Sequence, residues 1–128
     1  MWLTRVIITA GLATVMACKS STSPACSGAC VSIQDFSFTP PGLTVKAGTI
    51  VTWVNNGPSA HTTTSDGAVW DSGTLNAPTG GSGYGGGTGG GTYQVTFNTP
   101  GTYSYHCKLH PPSIAAYASF TGTITVTQ

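Results

Sequence analysis

The chain has 128 residues, a length that fits one domain, and almost no charge: Arg5, Lys19, Lys46 and Lys108 stand against Asp35, Asp66 and Asp71, with no Glu. So few cations cannot neutralise a run of phosphates, which excludes a nucleic-acid binder working through a basic patch, and three scattered acids exclude general acid/base work by paired carboxylates. Gly and Pro number 18 and 8, yet 39% of residues are hydrophobic and Val, Ile, Tyr, Trp and Thr abound, so the composition predicts a small all-β domain with one low-complexity insert.

Residues 1–17 read as an export signal peptide. Arg5 closes a short positive start, and Val6 to Ala17 is an apolar run too short to span a bilayer as a helix. Val15-Met16-Ala17-Cys18 resembles the bacterial lipoprotein junction, at which the Cys becomes the lipidated first residue of the mature chain. Ordinary secretory cleavage near Ala17 is the alternative. Either reading exports the protein to the periplasm or cell envelope, and Cys18 would make it a lipid-anchored one. Removing residues 1–17 takes Arg5 away and leaves three Lys against three Asp.

Residues 18–30 are polar and small, the composition of a flexible linker. Cys26 and Cys30 within it are spaced for a local disulfide in an exported chain. From residue 31 to 128 the pattern becomes short strands between turns. Val31, Ile33, Phe36 and Phe38 predict a first strand, broken by Thr39-Pro40-Pro41-Gly42. Leu43 to Lys46 alternates, Ala47-Gly48 turns, and Ile50 to Asn55 is a strong strand ended by Asn56-Gly57-Pro58. His61 to Thr64 is a short extended run. Residues 80–91, GGSGYGGGTGGG, bury almost nothing in return for the highest backbone ordering entropy and read as a flexible, disordered loop. Tyr93 to Phe97, Thr102 to Lys108 and Gly122 to Val126 complete a β-sandwich of seven or eight strands. No segment shows helical periodicity.

Chemistry concentrates near the C-terminus, in Tyr105-His106-Cys107-Lys108-Leu109-His110-Pro111, with His61 upstream. A thiolate and two imidazoles form the ligand set of a trigonal copper site. Cys107 ends a predicted strand and points into the sandwich. His110 follows three residues later, where the chain has turned over the end, and His61 arrives on a neighbouring segment. His106 adjoins Cys107 in the strand, so its side chain faces the other way. The bland alternative is a buried structural thiol beside two surface histidines.

Together, FSFTPPGLTVKAGTIVTWVNNGPSAHT, VWDSGTL, VTFNTPGTYSYHCKLHP and TGTITV resemble the cupredoxins, the small blue copper proteins of the plastocyanin and amicyanin type, over Ser32 to Gln128. The resemblance implies a Greek-key β-sandwich holding one copper ion at one end. It implies a carrier of single electrons between redox proteins, such as a cytochrome or a membrane oxidoreductase, and not an enzyme. His61, Cys107 and His110 fall on the three equatorial ligand positions, and the Ala60 carbonyl on that of a weak axial oxygen. His110 becomes the electron port, rimmed by Pro111, Pro112 and Ile114, and Asn56 the polar residue that orients the ligand loop.

The expected axial Met is missing. Phe120 stands at its position, ahead of Thr121-Gly122-Thr123-Ile124, and the chain's two Met are Met1 and Met16. Three arrangements remain open: Phe120 or Ile114 as an apolar cap, an oxygen from Ser113 or Ser119, or a site that has lost its metal. The corresponding alternatives in function are a periplasmic copper-delivery protein and a metal-free cupredoxin-like interaction module.

Overall fold

Period-two patterning gives each strand one face toward the core and one toward solvent. The computed structural model describes residues 28–80 and 88–128. Residues 1–17, read above as an export signal, Cys18, Cys26 and the centre of the Gly-rich insert lie outside them.

Eight strands follow in order: β1 Cys30–Gln34, β2 Ser37–Thr39, β3 Gly42–Lys46, β4 Thr49–Asn55, β5 Thr64–Ser65, β6 Thr92–Phe97, β7 Gly101–His106 and β8 Thr121–Thr127. They make two four-stranded sheets, β2-β1-β4-β6 and β3-β8-β7-β5. β1 lies parallel to β4 and β3 parallel to β8, and the other neighbours are antiparallel. This is the expected all-β sandwich. Among the described residues the one helical piece is a 3-10 turn, Ala115–Tyr117, and no helix is long and apolar enough to cross a membrane.

The alternation is plain in β4, where Val51 and Trp53 are buried and Ile50 is exposed. Trp53 packs on Trp70 and Tyr105 with centroids 5.4 and 5.5 Å apart, and Phe38 on Phe120 at 4.6 Å. Gly122 is required opposite Tyr105, because a Cβ there would lie 2.3 Å from the phenol ring. Cys30 is disulfide-bonded; Cys26, its expected partner, lies outside the described residues.

Three segments depart from the sequence expectation. The predicted strand from Val31 to Phe38 is a hairpin, in which Asp35 and Phe36 alone join the paired residues Gln34 and Ser37. Phe36 takes φ +65°, in the left-handed region that a bulky side chain disfavours. The run at 61–64 shortens to β5, while His61 pairs with Leu75 in an isolated bridge. The end of the Gly-rich stretch is built into the fold. Gly91 N–H donates to Asn76 O and its carbonyl accepts from Asn55 N–H, both at 2.9 Å. Gly90 is buried so close to Asn55 that an added Cβ would stand 1.7 Å from its carbonyl oxygen. The lack of a side chain, read as flexibility, here permits close approach.

Candidate metal centre

The site grows out of the end of β4. Asn55 Nδ2 donates to Ser59 O at 2.8 Å and Leu75 O at 2.9 Å, and its Oδ1 accepts from Gly57 N–H at 3.0 Å. These bonds curl residues 56–60 so that His61 returns over the sandwich end. His61 and Leu75 then exchange two backbone hydrogen bonds, at 3.1 and 2.8 Å. Ala60, half-buried, ends the curl next to His61.

The His61 side chain is fully buried. Its Nε2–H donates to Asp35 Oδ1 at 2.8 Å, so that in the neutral ring Nδ1 carries the lone pair a metal needs. That Nδ1 stands 3.9 Å from Cys107 Sγ, and His110 Nδ1 stands 3.6 Å from the same sulfur. Cys107 follows the last residue of β7 and is fully buried. Thr62 N–H donates to its sulfur at 3.3 Å, and Lys108 N–H donates back to Thr62 Oγ1 at 2.9 Å, so the two segments clasp each other. His110 is half-buried between Phe36 and Tyr117, each 5.0 Å away between centroids.

The three donor atoms lie within 4.8 Å of one another. Metal bonds of about 2.0 to 2.3 Å bridge the 3.9 and 3.6 Å sulfur–nitrogen separations, and the two imidazole nitrogens, within 4.8 Å, need draw together by only about half an ångström to share an ion. One soft thiolate with two imidazoles suits copper. Electrostatics agree. Burial alone would raise the Cys107 thiol, but hydrogen bonds from His61, Thr62 N–H and His110 bring it down to about 6. Burial alone would lower His61, but Cys107 and Asp35 hold it above its ordinary value. Burial would raise Asp35, but its hydrogen bonds with His61 and Ser59 hold it below the usual carboxylate range.

All three acids of the chain serve this end of the sandwich. Asp35 bonds His61, Asp66 bonds His106, and Asp71 bonds Lys108, so the residues flanking Cys107 are each braced by a carboxylate. Phe120, fully buried, stands with its ring centroid 5.0 Å from that of His61 and 6.2 Å from that of His110. Ile114 is 49% exposed at the rim, and Ser113 and Ser119 are exposed. Asn56 donates to Ser32 Oγ at 2.8 Å, while the bond that orients the His61 ring comes from Asp35 and the tie on its loop from Asn55. Asp35 belongs to no ligand motif in the sequence. The signal was a break of phase: Val31 and Ile33 alternate on odd numbers, Phe36 and Phe38 on even ones, as a turn between them requires.

A family model described as copper binding proteins, plastocyanin/azurin family, matches residues 26–127. The chain belongs to this family. It is 37% identical to a plastocyanin of Scenedesmus fuscus over 70% of this chain and 85% of that one. It is 33% identical to amicyanin-alpha of Methylorubrum extorquens over 63% of this chain and 62% of that one. The fold of this cupredoxin is also that of a purple cupredoxin from Nitrosopumilus maritimus, with TM-score 0.57 and 22% identity, covering 78% of this chain and all of the other. The donor set of this cupredoxin fits one copper ion.

Proposed function

We propose that this cupredoxin is an exported carrier of single electrons between redox proteins. The observation that carries the reading is the convergence of His61 Nδ1, Cys107 Sγ and His110 Nδ1 within 4.8 Å at one end of the sandwich. Copper, when bound, supplies the one-electron couple. The chain supplies fixed positions: His61 is held by Asp35, and Cys107 by the clasp with Thr62, so little has to move when the electron arrives.

Of the three donors, His110 is the one that reaches the surface. Leu109 and Ile114 stand exposed near it, with Pro111 and Pro112 half-buried, and the 109–120 loop carries no acid, Lys or Arg. An uncharged apolar rim suits the small, brief encounters of electron-transfer partners, such as a cytochrome or a membrane oxidoreductase. The leader pattern at 1–17 supports export, and Cys18 supports a lipid anchor as the one membrane attachment. The named relatives, a plastocyanin and an amicyanin, favour the carrier reading.

The test is a visible spectrum during addition of Cu(II) to the purified protein, followed by voltammetry. The expected result is an intense thiolate-to-copper band at one equivalent, bleached by a reductant, with a reversible wave. A folded protein that takes up no copper, or takes it up without that band, would overturn the reading.

A further inference from the structure

We infer that Asp35 sets the copper potential of this protein, acting through His61 as a charged positioning residue. The inference rests on the copper-carrier reading above. Asp35 is built in rather than merely nearby. Its Oδ1 accepts from His61 Nε2–H at 2.8 Å and from Ser59 N–H at 3.2 Å, and its Oδ2 accepts from Ser59 Oγ–H at 2.8 Å. Gly57 packs so tightly on it that a Cβ there would lie 2.8 Å from Oδ1 and 2.9 Å from the Asp35 nitrogen. The hairpin tip that presents the carboxylate carries Phe36 at φ +65°, a strained conformation for a non-glycine residue. The Phe36 ring in turn lies 5.0 Å from His110. One strained two-residue turn therefore places a carboxylate on one imidazole and an aromatic ring on the other.

The consequence is electrostatic. Cu(II) with one thiolate and two neutral imidazoles carries one net positive charge, which the Asp35 carboxylate balances. Adding an electron, with no bond broken and no proton moved, leaves one unbalanced negative charge at a site where His61 and Cys107 are fully buried. The carboxylate also strengthens His61 as a donor through the shared proton. Both effects favour the oxidised ion. The described residues contain no Met, and Phe120 packs against both imidazoles. Stabilisation of Cu(II) is supplied from the far side of His61 instead.

A residue that only braced the loop could be Asn as well as Asp, since an amide oxygen accepts the same hydrogen bond. The experiment is voltammetry of copper-loaded wild type and Asp35→Asn. The expected result is a shift of the equilibrium toward Cu(I) of at least tenfold, about 59 mV upward for one electron, with the coloured band retained. A variant with the wild-type band and the wild-type potential overturns the inference. A wild type without the band overturns the copper reading instead, so the two failures are distinct. If Asp35→Asn does not fold, Ser59→Ala takes its place. It removes one donor from Oδ2, concentrates the negative charge on His61 and should lower the potential; an unchanged or raised potential overturns the inference. Proton NMR of the Cu(I) wild type gives an independent reading. The His61 Nε2–H signal should exchange slowly and lie downfield of that of His110, and a signal at the ordinary imidazole position counts against the role.

Discussion

The Phe120 ring stands nearly perpendicular to His61, at 88° with centroids 5.0 Å apart. An apolar ring in that place shields the donor set and donates nothing to it. Replacing Phe120 with Met should add a weak thioether bond, stabilise Cu(II) and lower the potential by tens of millivolts, where 59 mV is a tenfold change. The swap removes little volume from a buried site and should cost about 1 kcal/mol or less in favourable repacking. Voltammetry and the visible spectrum check it together. An unchanged potential would place the Met sulfur out of reach of the metal.

Thr62 grips both sides of the ligand segment, through its N–H to Cys107 Sγ and its Oγ1 from Lys108 N–H. Thr62→Val keeps the first bond and removes the second, leaving a part-buried donor unpaired. A loss of about 1–3 kcal/mol is expected in denaturant unfolding of the apo-protein. The coloured band should survive, because the sulfur keeps its own hydrogen bond.

The apo-protein should depend on pH through Cys107 and His61 together. The thiol falls from 9.0 to about 6 on folding. Its contribution to stability is therefore complete above about 9 and is lost as pH falls through about 6. His61 is raised on folding, so its contribution has the opposite sign: complete below 6.5, and lost as pH rises through the raised value. Thiolate absorbance of the apo-protein should titrate near pH 6, and in His61→Ala the midpoint should climb toward 9. Copper retention should weaken below the same midpoint, since the metal requires the thiolate.

Gly90 carries the ligand loop indirectly. Its Cα lies against the carbonyl of Asn55, whose side chain holds Ser59 and Leu75. Gly90→Ala cannot be accommodated without moving that backbone, and a destabilisation of about 3 kcal/mol or more is expected. Thermal unfolding and copper stoichiometry of the variant test it. Gly80→Ala, where nothing lies within 4 Å of the added carbon, should leave both unchanged.

The lipid anchor proposed above would turn on Cys18. Cys18→Ser should move the protein from the membrane fraction to the soluble exported fraction, because several acyl chains bind a bilayer far more firmly than one. Equal membrane association of the two forms would refute the anchor.

The sandwich and the Cys107–His110 pair could be read from linear order because each rests on local rules, whereas His61, 46 positions from Cys107, is placed with them by the family's motifs. Alternation with period two marks β4, β6 and β8, and the spacing from Cys107 to His110 is short enough for one turn to close on a single ion. Asp35 could not be assigned that way. It lies 26 positions from His61, and the two meet only after β1 folds back on β2 and pairs in parallel with β4. The phase break at 34–36 marks a turn, but it does not say which imidazole the turn will face. The same holds for Gly90 and Gly91, whose composition is that of a flexible loop. Whether a glycine is loose or tightly packed depends on what lies across from it, here the Asn55 carbonyl and Leu75, and only the folded chain brings those atoms together.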